Sequence, residues 1–193
     1  MKERIQKILS DSSELHSILL EDYTLQRSIK QIVEICVEAF RNGNKLLLCG
    51  NGGSASDAQH IAAELSGRFY KERPPLHAEA LNVNSSYITA VANDFGYDQT
   101  FARMIEACGK KKDILLAIST SGNSNNIIEV LKKARGLDIF TIGFTGNNVS
   151  KMQSLCDIII NVPSNNTARV QEIHILCGHI ICQLIEEEMF PNV

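Results

Sequence analysis

His60 and Glu64 stand four residues apart in the segment Leu46 to Arg68, LLLCGNGGSASDAQHIAAELSGR. On a helix that spacing puts both side chains on one face, about 6 Å apart along the axis. A histidine and a carboxylate placed this way can bind one cation, most naturally zinc, or work as an acid/base pair. The plainer alternative is a His–Glu hydrogen bond on an exposed helix. The neighbouring residues favour chemistry. An apolar strand enters a Gly/Ser turn in which Gly52 and Gly53 let backbone N–H groups approach an anion. Ser54 and Ser56 add hydroxyl donors, and the new helix adds the positive end of its dipole. A phosphate cradle two turns ahead of a His/Glu pair suits a reaction on a small phosphorylated molecule.

The chain repeats part of this device in residues 113–126, DILLAISTSGNSNN. Ser119, Thr120, Ser121 and Ser124 place four hydroxyls within six residues, again between an apolar strand and a helix. One such turn commonly does no more than link strand to helix; two in one chain point to phosphate or sugar binding. The last helix, TARVQEIHILCGHIICQLIEEE, carries an apolar stripe interrupted or flanked by Gln171, His174, Gly178 and His179. Gln171 and His179 are eight residues apart, about 12 Å along the axis. They reach one small ligand only by stretching inward from above and below it, or two copies of the helix contribute. Arg169 can pair with a phosphate or with Glu172. Asn93 and Asp94, in VANDFGYD, form a polar corner that reads as an Asx turn or as a hydrogen-bonding group for sugar hydroxyls.

The elements that must position these groups follow from periodicity. Residues 1–41 repeat apolar side chains at spacings of three and four, which predicts two amphipathic helices ending at Asn42-Gly43-Asn44. They need a surface to cover them, on the same domain or on a second subunit. Beyond Lys45, strand candidates at 45–49, 78–83, 113–118, 138–144 and 157–162 alternate with helix candidates at 54–66, 85–92, 98–108, 124–135, 148–155 and 167–188. The strands are short and rich in Leu, Ile and Val, as in sheets buried on both faces. The pattern predicts an N-terminal helical segment, 1–41, followed by a three-layer α/β/α sandwich, 42–193, on a five-stranded parallel sheet. Ligands of such sheets bind beyond the carboxyl ends of the strands, where both hydroxyl-rich loops lie. Neither loop fits GxGxxG or a Walker lysine motif, which counts against a dinucleotide or ATP.

Composition sets the remaining bounds. The 193 residues, 44% hydrophobic and 21% charged, are those of an ordinary globular protein. The net charge of −3 gives no field for general nucleic-acid binding. There is no signal-peptide pattern and no apolar run long enough for a membrane span, so the expected location is the cytoplasm. Six cysteines without a CxxC pair are expected to be reduced.

The motifs CGNGGSxxDAxH, EL.GR, ANDFG, LLAISTSGNS and ARVQEIH with a further His occur in that order along the whole chain. Together they resemble the phosphoheptose isomerase family of the sugar isomerase (SIS) fold group. The resemblance implies conversion of D-sedoheptulose 7-phosphate to D-glycero-D-manno-heptose 7-phosphate, the first committed step toward nucleotide-activated heptose for bacterial surface polysaccharide. It implies a homotetramer with active sites at subunit interfaces and one zinc ion per subunit. It assigns Gly52, Gly53 and Ser54 to the first substrate-binding turn and Ser119, Thr120, Ser121 and Ser124 to the phosphate loop. It assigns Asn93 and Asp94 to the sugar, and Glu64 and His179 to acid/base catalysis. His60, Glu64, Gln171 and His179 match the zinc site, and Glu64 and Gln171 also contact substrate. Some relatives carry an Asp where this chain has Ala168. Zinc would polarise the carbonyl, although a carboxylate held tightly by zinc is a weaker base. Either Glu64 is released during turnover or His179 carries more of the work.

Two alternatives belong to other functional classes. A related group resembles this family but serves as a DnaA-binding regulator of replication initiation, and it lacks the Glu and the second His that are present here as Glu64 and His179. Another SIS sugar-phosphate protein, such as a hexose-phosphate isomerase, is disfavoured by the His60/Glu64 and Gln171/His179 combination.

Overall fold

The computed structural model describes residues 1–147 and 150–193. Two helices, α1 (Lys2–Leu20) and α2 (Tyr23–Arg41), precede a sheet of five parallel strands: β1 (Leu46–Gly50), β2 (Ala78–Ala80), β3 (Ile114–Ile118), β4 (Phe140–Thr145) and β5 (Ile158–Asn161). Between and after the strands lie α3 (Gly53–Ser66), α4 (Ser85–Phe95), α5 (Thr100–Cys108), α6 (Asn125–Gly136) and α7 (Thr167–Met189). The strand order is β2-β1-β3-β4-β5, with Leu48 opposite both Ala80 and Leu116 and Gly50 opposite Ile118. Every residue of β1 and β3 is buried, as their unbroken apolar runs predict.

The helices form a layer on each face. One core joins α2, α3 and α7 to the sheet through Ile32, Cys36, Ile61, Leu65, Ile173 and Ile181. The other joins α5 and α6 through Phe101, Ile105, Ile127 and Leu131. The chain reverses its direction of travel across the sheet between β1 and β3. That switch point opens a crevice at the carboxyl ends of the two strands, and both hydroxyl-rich loops flank it.

Several expected elements differ in extent; the helix expected over 85–92 runs on to Phe95 and the strand expected at 138–144 spans Phe140–Thr145. The strand expected at 78–83 closes after Ala80, where Leu81 N–H makes its last ladder contact, to Leu48 O at 2.8 Å. The helix expected over 98–108 opens with a short 3-10 turn, Tyr97–Gln99, before α5. The helix expected over 148–155 includes residues 148 and 149, which lie outside the described residues, and Lys151–Ser154 form a single 3-10 turn. Asn93 and Asp94 sit in the last turn of α4 rather than in an Asx turn, because Asn84 caps that helix and Gly96, at φ 87°, ends it. All six cysteines are free. Among the described residues, no helix is long and apolar enough to cross a membrane.

Candidate active site

The site begins where β1 meets α3. Gly52 adopts φ 57°, a left-handed conformation that a side chain would strain, and turns the chain sharply into the helix. No side chain caps α3; the N–H groups of Ser54 and Ala55 turn back to Asn51 O at 3.0 Å and Gly52 O at 3.1 Å, which leaves Gly53 N–H at the mouth of the turn. Ser54 is buried beneath the turn. A side chain on Gly53 would run into the Gln171 amide, so Gln171 of α7 lies against this turn.

The second loop follows β3, the strand next to β1. Ser119 Oγ stands 3.4 Å from Ser121 Oγ and 3.2 Å from Ser124 Oγ, so three hydroxyls converge. Thr120 lies within the same loop, and the helix that follows, α6, also starts without a side-chain cap. An amide pair that the sequence reading did not single out joins the two loops. Asn51 and Asn126 exchange Nδ2–H···Oδ1 hydrogen bonds of 2.9 Å in each direction, and Tyr97 Oη–H donates to Asn51 Oδ1 at 3.0 Å. Asn126 is buried. The signal was present as an Asn beside each Gly/Ser turn, but only strand pairing makes them neighbours. The Tyr97 contact also brings the end of α4, with the exposed Asn93 and Asp94, alongside this crevice. Asn93 Nδ2–H donates to Asp94 Oδ1 at 2.8 Å.

The possible metal ligands converge further along the two parallel helices. His60 Nε2 lies 2.9 Å from Glu64 Oε1 on α3. The His60 and His179 rings meet edge-on with centroids 5.0 Å apart. One ligand atom from each of His60, Glu64 and His179 lies within 4.8 Å of the others. The contact is tight because Gly178 faces Ile61, so α7 approaches α3 closely. Gln171, the fourth expected ligand, has its amide against Gly53 at the start of α3. Residues His60, Glu64 and His179 therefore come together within one chain, and no second copy of α7 is needed to join them. On the same helix, one turn before His60, Asp57 has a buried Oδ2 without a hydrogen-bond partner. Burial pushes its carboxyl up to about 6, against the opposing pull of His60.

Around this centre the remaining residues have structural partners. Arg169 Nη2 pairs with Glu172 Oε1 at 2.6 Å and Nη1 donates to Ile8 O at 3.3 Å, which pins α1 to α7. Asn166 Oδ1 accepts from Ala168 N at 3.1 Å and caps α7, so its amide oxygen is occupied. His174 is wholly buried, and burial lowers its pKa to about 4, so it is neutral and donates from Nε2 to Thr145 O at 3.3 Å.

Residues 13–146 match the SIS-domain family. The phosphoheptose isomerase of Aliarcobacter butzleri is 54% identical over 166 residues, which cover 86% of this chain and 88% of that protein. The phosphoheptose isomerase of Aneurinibacillus thermoaerophilus is 46% identical over 192 residues, 100% of this chain and 97% of that protein. Among solved structures, phosphoheptose isomerase GmhA from Neisseria gonorrhoeae superposes with a TM-score of 0.90 at 38% identity, covering 96% of this chain and 98% of that one. A phosphoheptose isomerase from Francisella tularensis superposes with a TM-score of 0.92 at 37% identity over 96% and 97% of the two chains.

Proposed function

The chain belongs to the phosphoheptose isomerase family of SIS-domain proteins, and on that premise we propose that it interconverts D-sedoheptulose 7-phosphate and D-glycero-D-manno-heptose 7-phosphate with one zinc ion bound per subunit. The observation that carries the proposal is the convergence of His60, Glu64 and His179 on the helix pair that starts at the anion turn. The product is the precursor of nucleotide-activated heptose for bacterial surface polysaccharide.

The donor set fits the metal. Two imidazoles and one carboxylate are the protein ligands of a catalytic zinc site with an open fourth position. His60, Glu64 and His179 would hold the ion, their ligand atoms lying within 4.8 Å of one another. When bound there, zinc supplies Lewis-acid polarisation of the sugar carbonyl. We assign Gln171, whose amide lies at the turn, to substrate together with Gly52, Gly53 and Ser54, and keep it as a fourth candidate ligand of the metal.

The residues divide the proton transfers. The Ser119, Thr120, Ser121 and Ser124 hydroxyls and the first N–H groups of α6 bind the phosphate. Asn93 and Asp94 contact sugar hydroxyls. Glu64 engages His60 through Oε1 and takes the C1 proton of the ketose on Oε2. The C1–H electron pair becomes the C1–C2 double bond, and the former carbonyl oxygen O2 gains a proton. The enediol then gives up the O1 proton, C1–O1 becomes the aldehyde, and Glu64 returns its proton to C2. His179 gives a proton to O2 in the first step and regains one from O1 in the second.

We assign the assembly to a homotetramer. Leu20, Leu25, Val33, Leu176, Ile180 and Leu184 line an open groove of about 1130 Å³ between α1, α2 and α7. Ile5, Ile8 and Leu9 of α1 are exposed. Apolar surface on this scale suits burial against a second copy. Incubating the purified protein with sedoheptulose 7-phosphate and following product by NMR tests the function. Conversion is expected, with loss on chelation and recovery with zinc. No conversion after zinc is restored overturns the proposal.

A further inference from the structure

A buried ion pair with no part in the chemistry above joins the two helices that carry it. Arg73 and Glu186 have side chains 0% and 2% exposed and meet at 2.9 Å, Nε to Oε1. Glu186 lies seven residues beyond His179 on α7, two turns along the same face. Its carboxylate also accepts from Phe69 N at 3.3 Å, Tyr70 N at 2.8 Å and Lys71 N at 2.9 Å. Burial alone would raise its pKa; the hydrogen bonds from Tyr70, Lys71, Arg73 and Phe69 outweigh burial and hold it below the usual range.

Arg73 turns its other nitrogens on the end of α3. Nη1 donates to Leu65 O at 2.7 Å and to Gly67 O and Pro74 O at 3.2 Å, and Nη2 donates to Glu64 O at 2.9 Å. The last carbonyls of a helix lack intrahelical partners, so the guanidinium caps the turn that carries Glu64. Only a flat fork of donors can do this, which a lysine does not supply. The segment held by Glu186 begins with Phe69, whose ring packs on His179 with centroids 5.8 Å apart. One ion pair thus touches the backbone of Glu64 and, through Phe69, the ring of His179.

Buried ion pairs contribute little net stability, because desolvation offsets their attraction. This one spans the two helices whose relative register decides whether Glu64 and His179 meet. We propose that Arg73 and Glu186 are positioning residues, which lock the last turn of α3 against α7 so that Glu64 and His179 keep the separation that metal binding and proton transfer need. This rests on the zinc isomerase function proposed above.

A second buried pair supplies the control. Lys45 and Asp113 meet at 2.8 Å with side chains 10% and 2% exposed, at the opposite end of the sheet from the loops. Wild type, Glu186→Gln, Arg73→Lys, Phe69→Leu and Lys45→Met are compared at a temperature where circular dichroism shows each folded. The readouts are kcat, KM and zinc affinity by chelator competition. Glu186→Gln and Arg73→Lys are expected to lower kcat and zinc affinity about tenfold or more, with KM within about twofold because the phosphate loop is untouched. Lys45→Met is expected to lower the melting temperature and leave kcat and zinc affinity at wild-type values. Phe69→Leu leaves the ion pair in place and is expected to lower kcat and zinc affinity by about threefold. Clamp variants that melt earlier yet keep wild-type kcat and zinc affinity overturn the proposal, as does an equal loss in Lys45→Met. If the clamp variants do not fold, unchanged kcat and zinc affinity in Phe69→Leu overturn it. A wild type that binds zinc without isomerising the sugar contradicts the function instead, and the zinc affinities still decide the clamp.

Discussion

Gly178→Ala should separate stability from activity. Gly178 faces Ile61 across the α3–α7 contact, and a Cβ there would stand 2.5 Å from Ile61 Cδ1 and 2.7 Å from Cγ1. Ile61 is only 1% exposed, so its side chain has little room to rotate away. Restoring an ordinary contact of 3.4 Å from 2.5 Å moves the helices apart by about 0.9 Å. Overpacking of this kind costs roughly 1–3 kcal/mol. Alanine in a helix interior offsets about 1 kcal/mol of that. The net loss is about 0–2 kcal/mol, which lowers the melting temperature by no more than about 8 °C for a chain of this size. The chemistry is more sensitive. His179 adjoins Gly178, while His60 and Glu64 sit on either side of Ile61, so the same shift opens the cluster directly. A misplacement near 1 Å costs about 100-fold in rate. The assay is isomerase turnover by NMR beside a thermal melt and a zinc titration. A folded Gly178→Ala protein with wild-type kcat and zinc affinity would refute the claim that close α3–α7 approach assembles the site.

Three further outcomes are expected. Glu64→Gln keeps a hydrogen bond to His60 but cannot take the C1 proton, so kcat should fall by about 10²–10⁴-fold with the fold intact; normal turnover would remove Glu64 as the base. Ser119→Ala deletes the hydroxyl at the centre of the loop trio, and losing a hydrogen bond to phosphate, about 1.5–3 kcal/mol, should raise KM by roughly 10- to 100-fold with a smaller effect on kcat; an unchanged KM would place the phosphate elsewhere. His174 is neutral in the fold, its pKa lowered from 6.5 to about 4 by burial. The unfolded chain therefore binds the extra proton between those values, and stability is lost as pH falls through that window. His174→Gln keeps a donor for Thr145 O and should reduce the stability lost between pH 7 and 4.5 by roughly 2–3 kcal/mol; equal acid sensitivity in both proteins would contradict this.

Much of the fold was legible because its signals are local. The apolar runs of β1 and β3 and the Gly/Ser turns after them need no partner to be recognised, and together they locate the crevice. The His60/Glu64 pair was equally plain, since four residues on one helix share a face. Residues whose meaning depends on packing were not. The eight-residue gap from Gln171 to His179 fixes a distance along α7 but not what lies opposite, and Gly53 proves to be Gln171's neighbour. Arg73 in KERPP and Glu186 in a run of three glutamates carry no local sign that they are buried. Their pairing spans 113 residues of sequence. Asn51 and Asn126 likewise become partners only through the parallel pairing of β1 with β3.

The most direct test of proton transfer by the α3–α7 cluster is isomerisation in D₂O. The zinc-loaded protein is taken to equilibrium with sedoheptulose 7-phosphate, and the heptose product is examined by proton NMR and mass spectrometry. Deuterium at C2 is expected to the extent that the Glu64 carboxyl proton exchanges with solvent before it is returned, and Glu64→Gln should form almost no product and incorporate almost no deuterium. Glu64→Gln matching wild type in both conversion and deuterium at C2 would contradict the account.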